Sequence, residues 1–268
     1  MNVDEYLSRI GAGPPRSLDI GTLRELQVRH LETVPFENLS VSLGQPIDLH
    51  PGALFDKIVR HRRGGFCYEL NGLFAGLLGE LGFEVELRAA RVARREGGFG
   101  PPLDHLALRV RLDEPWLVDV GFGRFSMAPL RFATDVVQED RAGRFSLRDA
   151  AHGDVDVLHD GVVAYRLENR PRDLEEFQAM AWFQTNSPDV HFTHGPTCSR
   201  ATPAGRITLA RDRLIETVGD ERTERRLDGA EEILAAYREY FGIDLDRVPS
   251  QGLDVRKCGF STELRYSY

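Results

Sequence analysis

The change of hydrophobic period at Gly82 constrains this chain more than any other feature. Upstream, Leu70, Leu73, Phe74, Leu77, Leu78 and Leu81 recur at i, i+3, i+4, i+7, i+8 and i+11, the stripe of an amphipathic helix. Gly82 supplies a left-handed stop. Downstream, Phe83, Val85, Leu87 and Ala89 alternate with polar residues, the period of a strand. The switch puts the chain in the α+β class.

The rest of the first third reads helical. Thr22 is expected to cap a helix carrying Leu23, Leu26 and Leu31, which Val34-Pro35 ends. A second helix is expected from Pro51, with Leu54, Phe55, Ile58 and Val59 on one face. In the middle third, Leu106, Leu108, Val110 and Leu112 alternate, Asp113-Glu114-Pro115 turns, and Trp116 to Val120 returns. Short strands continue to about Glu168, as in a sheet or small barrel. Asp173 is expected to cap a short helix containing Leu174, Phe177 and Ala181. The last part mixes strands, such as Arg206 to Ala210, with a helix carrying Ile233, Leu234, Tyr237 and Phe241 that stops at Gly242. Divisions near 90 and 190 give regions 1–90, 91–190 and 191–268.

Composition narrows the function classes. The net charge of −8 argues against non-specific binding to nucleic acid or to an anionic membrane. No apolar run is long enough to span a bilayer, and Met1 to Glu5 shows no basic segment leading into an apolar one. Cys67, Cys198 and Cys258 are odd in number and far apart, which fits a reducing cytoplasm better than a disulfide framework. His191 and His194 sit in a loop without a third ligand nearby, so no metal is expected. His152 and His159 read as solvated turn residues, and Cys198 and Cys258 as spectators.

Cys67 follows Arg63-Gly64-Gly65-Phe66 and opens the strongest helix. Backbone N–H groups at a helix N-terminus favour an anion and so a thiolate. The diglycine lets the backbone turn tightly and approach a ligand. A buried, inert cysteine is the ordinary alternative. His105 lies in the phase opposite to the leucines of its strand, and Asp119 is a carboxylate between Val118 and Val120, expensive there unless paired. Together the three are the parts of a nucleophile, a base and an orienter. The expected hairpin works against this. Pairing Leu112 with Trp116 sets Asp119 opposite Arg109 and leaves His105 about 13 Å further along. A bulge, strong coiling or a loop before the strand would have to close the gap.

Several segments then occur in a specific order: Val34-Pro35-Phe36-Glu37-Asn38-Leu39, Arg63-Gly64-Gly65-Phe66-Cys67-Tyr68-Glu69-Leu70-Asn71, His105, Val118-Asp119-Val120-Gly121-Phe122-Gly123, and Trp182-Phe183 with Ser187-Pro188 and Phe192. With them the chain resembles the arylamine N-acetyltransferases over nearly its whole length. The resemblance implies a helical domain at 1–90 carrying the nucleophile, a β-barrel domain at 91–190 carrying His and Asp, and an α/β lid at 191–268. Its catalytic core is of the cysteine-protease and transglutaminase kind. It implies Cys67, His105 and Asp119 as a triad, and transfer of an acetyl group from acetyl-CoA through a cysteine thioester to an aromatic amine, hydrazine or N-hydroxyarylamine. No bound cofactor is implied. The backbone N–H groups of Cys67 and Val92 would form the oxyanion hole. Phe36, Phe122, Phe125 and Phe192 would line the acceptor pocket, with Gly121, Gly123 and Arg124 toward CoA. Arg63 with Glu37, and Asn71, would be structural supports. A homodimer is left open.

Two positions depart from the family's pattern. Asp104 stands where Thr or Ser is common, and could raise the imidazole pKa or disfavour CoA phosphates. Arg124 stands where a glycine is often seen. The rival within the same architecture is an amide synthase that closes a carrier-bound acyl chain onto an aryl amine, to be told apart by bulk near Phe125 and Phe192. A transglutaminase-like hydrolase also runs Cys, His and Asp, but the VPFENL and VDVGFG segments count against it. A non-catalytic binding module would not need the intact triad.

Overall fold

The structure, a computed structural model, describes residues 1–249; Cys258 lies outside the described residues. Helices dominate the first third: α1 (Val3–Ile10), α2 (Ile20–Thr33), α3 (Leu39–Leu43), α4 (Pro51–Phe55) and α5 (Cys67–Leu81), with one short strand, β1 (Phe36–Glu37). α2 begins earlier than Thr22. Asp19 is its cap, and the Asp19 Oδ1 accepts the Thr22 N–H at 2.9 Å. The Asp19 carboxylate, in extended backbone, reaches that N–H, so Thr22 is already inside the first turn. The helix from Pro51 lasts five residues and then loosens into a π-turn over Asp56–Arg60, which still buries Ile58 and Val59. α5 ends at Gly82, in left-handed backbone with φ 101°.

Strands β2 (Glu84–Val92), β3 (His105–Arg111), β4 (Pro115–Val118), β5 (Leu130–Arg131), β6 (Gln138–Asp140), β7 (Gly143–Asp149), β8 (Val155–His159) and β9 (Val162–Arg172) form an eight-stranded sheet in the order β5-β4-β3-β2-β9-β8-β7-β6. It curls into a nearly closed barrel. The Gln138 side chain joins the two edges by accepting the Arg131 N–H at 2.6 Å and donating to the Arg131 carbonyl at 3.0 Å. Both faces of β2 and β3 are buried. Ala89, Leu106, Leu108 and Val110 pack toward the helices, while Ala90 and Ala107 face the barrel interior with Leu117, Phe145 and Tyr165. The phase opposite to the leucines is therefore a second core, not solvent. His159 belongs to it: its ring stacks on Phe145 at 4.5 Å and its Nε2 bonds with the Ala142 carbonyl, so it is not a solvated turn residue.

A turn of 3₁₀ helix after Asp173 leads into α6 (Gln178–Asn186). Strands β10 (Thr197–Thr202), β11 (Gly205–Ala210), β12 (Arg213–Val218) and β13 (Glu221–Arg226) form a meander to which β1 adds an edge. α7 (Gly229–Phe241) covers it through Ile233, Ala236, Tyr237 and Phe241. The β1–β10 pairing, Phe36 with Ser199 and Glu37 with Cys198, ties the first third to the last.

Candidate active site

The first turn of α5 is assembled before the nucleophile is placed. A side-chain carbon on Gly64 would fall 1.9 Å from the Pro35 carbonyl oxygen, and one on Gly65 would fall 2.6 Å from Glu69 Oε2. The diglycine thus admits neighbouring chain rather than a ligand. Glu37 is wholly buried and holds Arg63 at 2.9 Å, while also accepting the Leu39 and Gly64 N–H groups. Burial pushes its carboxyl up, but the charges of Arg63 and Lys57 prevail and hold it below the ordinary range. Glu69 accepts the Phe66 N–H at 3.2 Å and pairs with Lys57 at 2.6 Å, although burial leaves its carboxyl raised. Cys67 then begins the helix, 5 % exposed, and its N–H has no acceptor within the helix.

Opposite it lie His105 and Asp119. The β3–β4 turn keeps its expected length but lies one residue earlier, at 112–114, which shifts the register by two. Val110, not Leu112, faces Trp116, and Leu108 faces Val118. Pro115, expected in the turn, pairs with Arg111 as the first residue of β4, a place where a missing N–H is tolerated. Continuing this register sets Asp119 against Ala107, only about 7 Å along the strand from His105. No bulge in this hairpin is needed. His105 Nε2 and Asp119 Oδ2 meet at 2.7 Å, both residues nearly wholly buried.

The carboxylate is fixed on its other side. Asp119 Oδ1 accepts the Asn71 Nδ2–H at 2.9 Å and the Gly121 N–H at 2.9 Å. Asn71 also donates to the Leu106 carbonyl at 2.6 Å and accepts the Val120 N–H at 2.9 Å, so one side chain on α5 clamps both barrel strands. Burial alone would lower the imidazole. The Asp119 charge and hydrogen bond override it, a hydrogen bond with Cys67 adds to them, and His105 is raised from 6.5 to about 10. The site therefore holds an imidazolium between the Cys67 sulfur and a carboxylate at neutral pH.

The remaining predicted residues divide. Gly121 has no room for a side chain: its Cβ would lie 2.6 Å from Cys67 Cα, so this glycine serves the approach of two protein segments. Gly121→Ala should displace the first turn of α5, costing about 1–3 kcal/mol of stability and lowering activity more than stability; thermal melts beside single-turnover rates check this. Gly123 takes φ 87°, and its carbonyl accepts from Arg206 at 2.7 Å. Phe122 packs on His105, ring centroids 5.0 Å apart. Phe36 and Phe192 form a separate cluster with Phe66, at 6.1 and 5.5 Å from Phe192. Phe125, expected at the pocket mouth, is only 4 % exposed and packs in the barrel interior against Phe145 and Tyr165. The Val92 N–H already donates to Asp104 Oδ2 at 3.3 Å. Burial raises the Asp104 carboxyl.

Three contributors escaped the sequence reading. Tyr165 is wholly buried, its ring 5.1 Å from His105; burial, with the Asp119 charge, pushes its hydroxyl far above its ordinary value. Only its inward phase on β9 could have signalled it. Tyr68 donates its hydroxyl to the Leu103 and Asp104 carbonyls, and Gln184 donates to Asp104. Tyr68 stands in the 63–71 segment with no role of its own assigned there, and Gln184 stands in no motif. Cys198 is wholly buried in the core beneath α7, beside Glu37, and burial raises its thiol well above the ordinary value. Among the described residues no three His, Cys, Asp or Glu side chains gather as a metal site, and the His194 ring is engaged with the Pro188 carbonyl. No described helix is long and apolar enough to cross a membrane.

A family model described as N-acetyltransferase matches residues 19–249. An arylamine N-acetyltransferase of Mycolicibacterium smegmatis is 37 % identical, the alignment covering 96 % of this chain and 97 % of the relative. One of Escherichia coli (strain K12) is 32 % identical, covering 97 % and 92 %. The solved M. smegmatis arylamine N-acetyl transferase superposes with a TM-score of 0.84 at 35 % identity, covering 91 % of this chain and 93 % of that one. The Mycobacterium marinum arylamine N-acetyltransferase in complex with CoA does so at 0.83 and 30 % identity, covering 90 % and 93 %. With a family model spanning most of its length and relatives aligned nearly end to end, this chain belongs to the arylamine N-acetyltransferase family.

Proposed function

We propose that this enzyme carries its acetyl group on Cys67 as a thioester, taken from acetyl-CoA and passed to an arylamine, arylhydrazine or N-hydroxyarylamine. The observation that carries the reading is the 2.7 Å His105–Asp119 contact, with Cys67 bonded to the same imidazole at the start of α5. The thiolate attacks the acetyl carbonyl, a C–S bond forms, and the imidazolium gives its proton to the departing CoA sulfur. The amine then attacks the thioester, its proton passes to His105, and the Cys67 thiolate leaves. The Cys67 N–H and, where Asp104 shares it, the Val92 N–H would hold the oxyanion. Phe36 and Phe192 on one side and Phe122 on the other would take the flat acceptor. Arg63 with Glu37, and Asn71, are the supports of this arrangement. The three regions 1–90, 91–190 and 191–268 would act as nucleophile domain, barrel and lid, in a cytoplasmic enzyme.

For the donor, a cavity of about 280 Å³ beside Gly123 is lined by Arg124, Arg141 and Arg206, together with Phe125 and Met127. Burial and the Arg124 charge lower Arg206 to about 10, which an arriving phosphate would reverse. That the M. marinum relative was solved with CoA supports the same donor here. Initial rates at several fixed amine concentrations should give parallel double-reciprocal lines, and without amine one CoA per site should appear in a burst before slow hydrolysis. Intersecting lines with no burst would mean direct transfer in a ternary complex.

A further inference from the structure

We propose that Asp104 selects acceptors by charge, favouring arylamines that bear a cationic ring substituent and rejecting those that bear a carboxylate. This rests on the acceptor reading given above.

The carboxylate is built into the wall of the site. Asp104 immediately precedes His105. Its Oδ1 accepts from Gln184 of α6 at 2.7 Å, and its Oδ2 from the Val92 N–H at the end of β2 at 3.3 Å. Tyr68, the neighbour of Cys67, donates its hydroxyl to the Asp104 carbonyl at 3.1 Å. Room for the carboxylate is made at Gly100, where a side-chain carbon would stand 1.9 Å from Oδ2 and 2.7 Å from Cγ. Side chains of ordinary size at 100 and Asp at 104 are incompatible without a shift of the loop.

Both groups that donate to the carboxylate are neutral, and no ion pair to it is formed among the described residues. His105 and Arg94 are the cations whose charge reaches it. The field of Asp104 extends across the cleft to His191. The His191 ring lies 4.1 Å from Phe192, which packs on Phe36 and Phe66. The charge thus flanks the same aromatic cluster that would hold the acceptor ring. A part-buried anion held by neutral donors, and offset only in part by the charges of His105 and Arg94, imposes a negative potential that low-dielectric walls transmit. Against a charged ring substituent roughly 8 Å away, it changes transfer on the order of tenfold.

The test uses enzyme acetylated with acetyl-CoA and three acceptors: neutral 4-methoxyaniline, anionic 4-aminobenzoate and cationic 4-aminobenzamidine. Single-turnover transfer is followed for the wild type and for Asp104→Asn, which keeps the shape and an acceptor oxygen. Comparing each acceptor between the two proteins cancels its intrinsic basicity. Relative to 4-methoxyaniline, 4-aminobenzoate should gain about tenfold in the variant and 4-aminobenzamidine should lose several-fold. If the three acceptors change in parallel, Asp104 is only a latch between α6 and β2, and the proposal is overturned. A measurement on the wild type alone guards against a misfolded variant. Its preference for cationic over anionic acceptor should shrink as ionic strength rises from about 0.05 to about 0.5 M; a preference indifferent to salt overturns the proposal. Failure of acetyl-CoA to load Cys67 at all would instead overturn the thioester reading, and this inference with it.

Discussion

Cys67→Ala should abolish acyl transfer, by at least about three orders of magnitude, while the protein stays folded. The sulfur sits at the first position of α5, where an alanine keeps the helix and loses little packing. What disappears is, among the described residues, the only thiol hydrogen-bonded to an imidazole that keeps its proton at neutral pH. Cys198→Ala makes the contrast. It removes a wholly buried sulfur from the core beneath α7, so it should lower stability by about 1 kcal/mol and leave the chemistry alone. Rates with acetyl-CoA and an aryl amine, beside thermal melts, separate the two effects. Substantial activity in Cys67→Ala would contradict the assignment.

Asp119→Asn should be nearly as damaging and should also change how the protein responds to pH. Asp119 accepts from His105, Asn71 and the Gly121 N–H. An amide in its place must point two donors at some of these donors. We expect acyl transfer to fall on the order of 10³–10⁴-fold and stability to fall by roughly 2–4 kcal/mol. His105 is raised in the folded protein from 6.5 to about 10, so its contribution to stability is fully present below about 6.5 and is lost as pH rises through about 10. Asp119→Asn should lack this part of the alkaline destabilisation. Unfolding followed from pH 6.5 to 10 checks it, and equal slopes for the two proteins would contradict the ion-pair account. Iodoacetamide should react with wild-type Cys67 at about pH 6 faster than with a free thiol, and more slowly with the variant.

Much of this site was legible because its parts lie in the chain's strongest periodic segments. The stripe from Leu70 to Leu81 marked α5, and its first residue marked the nucleophile. His105 and Asp119 could be named but not joined, because one misplaced turn residue, Pro115, shifts a hairpin register by two. A shift of two leaves every side chain on its own face of the sheet, so alternation cannot choose between the two registers. Tyr165, Gln184 and Lys57 reach the site from distant sequence through tertiary packing, which no local pattern encodes. Gly64, Gly65 and Gly121 admit neighbouring protein, while the demand for a small residue looks the same in sequence whichever neighbour makes it. Phe125 packs on Phe122, 5.3 Å between ring centroids, and on Phe145 and Tyr165 of the barrel interior, neighbours that its place after Arg124 in the sequence does not reveal.

The most direct test of the account is the mass of the intact protein after brief incubation with acetyl-CoA and no amine, followed by peptide mapping. The account predicts one acetyl group per chain, on Cys67, that an aryl amine discharges. Cys67→Ala should take up none. An unmodified wild-type chain under conditions where amine acetylation proceeds, or an acetyl group on another residue, would contradict it.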